Sequence, residues 1–162
     1  MKKTTNMRAG FTMIELIFVI VIIGVLAAIA MNKLSATRDD AKISQIIANS
    51  KTFMNDVKAY YTAQGLRKYE SSNIGTVTDV PLYDSSCSAL DINSTMVENN
   101  GTSFHLCSNG TAIVKIDTNR THVTITSEEN TTSVGAAVSG NSAFKAIAKS
   151  TRLGGKGVNF GD

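Results

Sequence analysis

The sequence contains no tryptophan, and aromatic residues make up only 6% of its 162 positions. That excludes a large aromatic core and suits one modest domain with an anchor rather than two full domains. Proline is nearly absent: Pro81 is the only one, so nothing before it breaks a helix in proline's manner. Two histidines, His105 and His122, and two cysteines, Cys87 and Cys107, make a thin set for a metal centre. Asp79, Asp84 and Asp91 are too scattered for a calcium loop. No G-x-S-x-G, H-E-x-x-H or phosphate-binding glycine loop occurs, and Gly154-Gly155-Lys156-Gly157 lacks the spacing and the Ser/Thr of one. No enzyme, catalytic residue, metal or cofactor is expected.

Excess charge is also lacking once its location is considered. The formal charge is +3, but Lys2, Lys3 and Arg8 precede Phe11, which leaves 13 basic against 13 acidic side chains in the body. A neutral body exerts no sequence-independent pull on nucleic acid, so nucleic acid is not expected as a direct ligand. The basic residues form a positive flank that should stay cytoplasmic while the next segment enters the membrane.

That segment, Phe11 to Met31, is a run of 21 residues, almost wholly apolar. As a helix at ~1.5 Å per residue it spans roughly 30 Å of hydrocarbon. Three readings compete. A secretory signal would be cut after Ala30, following the Ala28-Ile29-Ala30 pattern. A plain anchor explains the length, but neither reading explains the carboxylate of Glu15. The third accounts for both: the basic leader followed by Gly10, Phe11, Thr12, Met13, Ile14, Glu15 and Leu16 resembles the prepilin signature of type IV pilins and type II secretion pseudopilins. The resemblance covers about the first fifth of the chain, and Gly24 and the Leu26–Ala30 run also fit it. It implies that a prepilin peptidase cuts after Gly10 and that the new N-terminus, Phe11, is methylated. It further implies a single-pass inner-membrane precursor with a cytoplasmic N-terminus and a periplasmic head. Its implied partners are identical or related pilin subunits, the peptidase, an inner-membrane assembly platform and membrane lipid.

A carboxylate within a membrane helix is costly unless it is paired. No Lys or Arg occurs between Phe11 and Asn32, so the segment offers Glu15 no side-chain partner. Cleavage after Gly10 creates the α-amino group of Phe11, one helical turn away. When helices pack side by side, Glu15 of one can meet the amine of its neighbour, which fixes their stagger. Gly24 and Ala28 form a small-xxx-small pair that lets helices approach closely. Many pilins have a proline just after the apolar run; this chain has Asn32, so a proline kink is not expected here.

From Ser35 onward, Ile43, Ile46, Ile47, Phe53, Met54, Val57, Tyr60 and Tyr61 recur at spacings of three and four, a single apolar stripe. Gly65 followed by Leu66 reads as a helix stop. The predicted organisation is a leader over 1–10, a transmembrane and polymerisation helix over 11–31, an amphipathic helix over 32–64 and a periplasmic head over 65–162. An amphipathic helix lying on a lipid surface is the alternative for 32–64, but the strands downstream need a partner to pack against.

In the head, 66–100 reads as an irregular connection. Phe104–Cys107 and Thr111–Asp117 flank the turn Ser108-Asn109-Gly110, and Thr121–Thr126 completes a three-stranded meander. Ala112, Val114 and Ile116 alternate with Ile113, Lys115 and Asp117, so one face should cover the helix stripe. His105 and His122 are expected as surface or hydrogen-bonded residues. Ser142–Ser150 is expected to form a short helix around Phe144 and Ile147. The expected fold class is α+β, a long N-terminal helix against a small antiparallel sheet, which is also what the resemblance implies. Cys87 and Cys107 would close a loop of about 20 residues, worth roughly 3 kcal/mol, if the head lies outside the cytosol; free buried thiols are the alternative.

Asn93, Asn100, Asn109, Asn119 and Asn130 each begin an N-x-S/T sequon without proline. All but Asn109 have an acid two residues earlier: Asp91, Glu98, Asp117 and Glu128. With 13 acids in 162 residues, chance gives about 0.4 such cases among five sequons. The acid-extended form resembles the acceptor of bacterial N-linked oligosaccharyltransferases, which marks Asn93, Asn100, Asn119 and Asn130 as candidate glycosylation sites. The functional expectation is a structural subunit of a type II secretion pseudopilus, a DNA-uptake pilus or a type IV pilus. The alternative is a monomeric binding domain, membrane-tethered or secreted.

Overall fold

The computed structural model describes residues 11–97, 101–128 and 131–154. The leader with Lys2, Lys3, Arg8 and Gly10, the sequon asparagines Asn100 and Asn130, the 155–157 part of the glycine tail and the side chain of Asn32 lie outside the described residues. The chain divides into two compact units, Met1–Arg38 and Asp39–Asp162. Helix α1, Met13–Glu70, contributes to both. In the first unit its side chains are exposed from Met13 to Met31, and it is long and apolar enough there to cross a membrane.

In the second unit the apolar stripe of α1 turns inward. Ile46, Phe53, Met54, Val57 and Tyr61 are buried, and Ile43, Ile47 and Tyr60 pack at the margin. Ser50 falls within this stripe; its hydroxyl donates to the Ile46 carbonyl at 2.8 Å, so the buried polar atom is satisfied within the helix. The helix breaks at Gly65, as the sequence predicts. Gly65 adopts φ +77°, the left-handed conformation that makes glycine a stop, but a further helical stretch follows at once and runs to Glu70. Tertiary contacts hold that extension. Tyr69 is wholly buried and meets Tyr61 edge to face, with ring centroids 5.5 Å apart. Burial pushes the Tyr69 phenol above its ordinary range, and the nearby Tyr61 adds to the shift. Glu70 accepts an ion-paired contact from Arg120 Nε at 2.7 Å.

The sheet is antiparallel, in the order β1 (Thr102–Ser108), β2 (Thr111–Thr118), β3 (His122–Ser127) and β4 (Ser150–Arg152). The predicted hairpin is present: Ser108 pairs with Thr111, and Asn109 (φ +52°) and Gly110 (φ +75°) form the two-residue turn. Two positive φ values in succession match the twist of the flanking strands, which explains Asn-Gly there. The three-stranded meander is extended by β4, through the pairs His122–Arg152, Val123–Thr151 and Thr124–Ser150. The expected helix over Ser142–Ser150 is therefore shorter: α4 is Ser142–Ile147, capped by Asn141 Oδ1, and Ser150 already belongs to the strand.

Phe104 meets Phe53 of α1 edge to face at 6.2 Å, which identifies the sheet face toward the helix. Leu106, Val114, Ile116, Val123 and Ile125 share that face by strand register and are buried. One face covers the helix stripe, as expected, and the other is covered as well near Ile113, which is buried as fully as its neighbour Val114. Adjacent strand residues point to opposite faces. The chain after β3 supplies further cover: α3 (Ser133–Gly140), capped by Thr132, buries Val134 and Val138 and lies against β2 and β3. The region read as an irregular connection also contains a short helix, α2 (Ile74–Val77), and bridges Asn73–Thr95 and Tyr83–His105. The architecture is α+β and pilin-like, a long helix with a four-stranded antiparallel sheet.

Cys87 and Cys107 form a disulfide with Cα atoms 5.9 Å apart, tying the connection to β1. Replacing both with serine is expected to destabilise the head by about 3 kcal/mol, because the open chain regains the entropy of a loop whose ends are 20 residues apart. Thermal denaturation followed by circular dichroism should show a Tm lower by roughly 10–15 °C. An unchanged Tm would mean that the bridge only decorates an already rigid segment.

Candidate functional site

The candidate site is the start of α1. Phe11 is 83% exposed, and no residue of the first unit between it and Met31 is buried. Thr12 and Glu15 form a reciprocal cap at the helix start. Glu15 Oε2 accepts from Thr12 N and from Thr12 Oγ1, each at 2.8 Å, while Glu15 N donates to Thr12 Oγ1 at 3.4 Å. This is a capping box, in which a side-chain oxygen and a carboxylate satisfy donors that the first helical turn leaves unpaired. It corrects the expectation that the segment offers Glu15 no side-chain partner. Thr12 is not a cation, and its signal in the sequence is the T-x-x-E spacing directly ahead of an apolar run. The hydroxyl and amide do not cancel the charge, so a cation is still wanted when the carboxylate is away from water.

The cap has a geometric consequence. It folds the carboxylate back over the first turn, towards the peptide between Phe11 and Thr12, so the charge faces the N-terminal end of the helix. The dipole of α1 favours a negative group in that position. Further along, Gly24 has nothing within 4 Å of the place a Cβ would occupy, and Ala28 is exposed. Both small residues are thus open to a neighbouring helix. Over the same stretch the exposed apolar side chains include Phe18, Val19, Ile22 and Leu26.

The remaining candidates lie in the second unit. Asn93 and Asn119 are exposed, on the α2–β1 connection and the β2–β3 turn. His105 is buried, with Nε2 3.3 Å from Glu128 Oε1 and with Nδ1 lacking a hydrogen-bond partner among the described residues. Ring Nδ1 of His122 lies 2.8 Å from Thr121 Oγ1. The two rings therefore share no site. Asp84 and Asp91 spend their Oδ1 atoms on nearby backbone amides, Asp84 on Ser86 and Ser88, and Asp91 on Asn93. Among the described residues no group of three or more His, Cys, Asp or Glu is placed to hold a metal. A small cavity of about 70 Å³ lies between α1 and β1, lined by Lys42, Gln45, Asn49, Tyr83 and Ser108, and is large enough only for a few waters.

Comparison with known proteins points to the same end of the chain. Residues 5–31 match the family model described as the prokaryotic N-terminal methylation motif. No curated protein and no solved structure matches the chain.

Proposed function

We propose that this chain, which carries the N-terminal methylation motif of type IV pilins and pseudopilins over residues 5–31, is a structural subunit cut after Gly10 and polymerised through Phe11–Met31. The observation that carries the reading is the fully exposed apolar stretch with one capped carboxylate, Glu15, four residues from the motif glycine's successor. An isolated soluble domain gains nothing from such a surface, whereas a membrane or a bundle of like helices covers it.

The mechanism follows from charge and register. In the precursor, Lys2, Lys3 and Arg8 hold the N-terminus on the cytoplasmic side and the head lies in the periplasm. Cleavage turns the Phe11 amide into an amine, which is methylated and keeps its charge. Thr12 keeps the Glu15 carboxylate turned towards that end of the helix. In a fibre, the amine of one subunit meets Glu15 of its neighbour, and any other stagger leaves both charges in an apolar setting. Gly24 and Ala28 let the packed helices approach, and the exposed aliphatic side chains fill the contact. An assembly platform and a motor outside this chain add or remove subunits. Type II secretion, DNA uptake and a surface pilus all use such a fibre, and the neutral body gives DNA no special claim.

The mature N-terminus tests this. Mass spectrometry of protein purified from its own cells is expected to find N-methylated Phe11 as the first residue. A start at Met31 would make it an ordinary secreted protein, and an intact leader would leave a membrane-tethered domain.

A further inference from the structure

The acid-extended sequons are not used by fibre assembly, and two of them, at Asn93 and Asn119, lie among the described residues. We propose that Asn93 and Asn119 are N-glycosylated, whereas the sequon asparagine Asn109 is left bare.

Both proposed acceptors are exposed and outside regular elements. Asn93 donates from its backbone N and its Nδ2 to Asp91 Oδ1, at 2.9 and 3.0 Å. These bonds face water, so exchanging them for contacts with an enzyme costs little. At Asn119 the side-chain Oδ1 accepts from Thr121 N at 3.0 Å and from His122 N at 2.7 Å. That use of the oxygen leaves Nδ2, the atom that reacts, outside the hydrogen bonds of the turn.

The three sequons also differ in place. The second unit begins on α1 at Asp39, and α1 ends at Glu70. Arg120, next to Asn119, pairs with Glu70. Thr118 Oγ1 donates to the Met96 carbonyl, and Met96 N donates to the Ser72 carbonyl. These links gather the Asn93 and Asn119 segments at the Glu70 end. Asn109 sits at the other end, where its Oδ1 accepts from Lys42 Nζ at 2.9 Å. It also occupies the left-handed first position of the hairpin turn and has Cys107, not an acid, two residues earlier. A sugar at the Glu70 end leaves the Asp39 end of the head clear for neighbouring subunits.

The donor class is an oligosaccharide carried on a polyprenyl diphosphate, and the enzyme class is a membrane oligosaccharyltransferase. Nδ2 forms a bond to C1 of the reducing-end sugar while the C1–O bond to the diphosphate breaks. The diphosphate leaves with the electron pair, the amide gives up one proton, and nothing is oxidised or reduced. The carboxylates of Asp91 and Asp117 supply a negative charge that a basic group of the enzyme can bind. The inference rests on the head facing the compartment in which its disulfide forms.

Intact-mass and glycopeptide analysis of mature protein from its own cells decides the matter. The expected result is an oligosaccharide increment on each of Asn93 and Asn119, with Asn109 bare. Asn93→Gln and Asn119→Gln each remove one increment. Asp91→Ala lowers occupancy of Asn93 roughly tenfold; it is a cleaner probe than a change at Asp117, which also holds Ser103 Oγ and Lys115 Nζ. A bare polypeptide mass overturns the proposal, as does sugar on Asn109 or on serine or threonine in place of these two; sugar on only one of the pair overturns it for the other. The same spectrum reads the N-terminus. Methylated Phe11 on a bare chain refutes glycosylation alone, whereas sugar on Asn93 and Asn119 of a chain starting elsewhere refutes the fibre.

Discussion

Glu15→Ala is expected to leave cleavage after Gly10 and methylation of Phe11 largely intact, while incorporation into fibres falls roughly tenfold or more. The substitution removes two things at once, the cap on Thr12 and the charge available to a neighbouring amine. Two further variants separate them. Glu15→Gln keeps a side chain that can complete a capping box but carries no charge, so it should fail in assembly as the alanine variant does. Thr12→Ala removes the capping hydroxyl that donates to Glu15 Oε2 but leaves the charge and the Thr12 backbone donor that orients it, so it should assemble far better than either Glu15 variant. Sheared-fibre yield beside the membrane-bound processed pool gives the comparison. Normal fibres from Glu15→Gln would sink the charge-register mechanism and assign Glu15 a purely local role at the helix start.

The largest expected effect on the head itself is at Phe53. Its side chain is fully buried on α1 and meets Phe104 of β1 edge to face, so it joins the helix to the sheet at the centre of the core. Phe53→Ala should cost about 3–5 kcal/mol, from lost transfer energy and the cavity that remains. That is a large share of the roughly 5–15 kcal/mol by which domains of this kind are stable. Thr52→Ala, one position earlier and exposed, should shift stability by less than about 0.5 kcal/mol. Urea denaturation of the two variants, with processing and membrane insertion scored separately, makes the comparison. A loss at Phe53 no larger than that at Thr52 would mean that α1 and the sheet do not share a core.

Much of this was legible in the chain because the signals are local or periodic. A 21-residue apolar run needs no tertiary contact to be read as a membrane-length helix. The stripe from Ile43 to Tyr61 repeats at helical spacing whatever it packs against, and Asn109-Gly110 marks a turn because few other pairs accept two positive φ values. What was missed lacks such signals. Helix α3 is built from Ser-Val-Gly-Ala-Ala-Val-Ser-Gly, a poor helix former that holds its shape by burying Val134 and Val138. Strand β4 is three polar or charged residues, which become a strand because the open edge of β3 offers them backbone partners.

The candidate site divides in the same way. Gly10, Phe11 and Glu15 are legible because the methylation motif and a helix start are both short linear patterns. Thr12 was legible in the same way, since T-x-x-E is a linear signal, but that signal announces a cap and not the countercharge that a carboxylate in an apolar run demands.

By itself, then, the sequence determined the processing signature, the apolar helix, the lone carboxylate and the fold class, since each rests on order along the chain. Tertiary structure alone decided that α1 resumes beyond Gly65, that both faces of the sheet are covered near Ile113, and that Asn93 and Asn119 gather at one end while Asn109 holds Lys42 at the other. Those outcomes depend on which surfaces meet. The free energy of burying Tyr69, Ile113 or Val138 exists only once a partner from a distant part of the chain is in place.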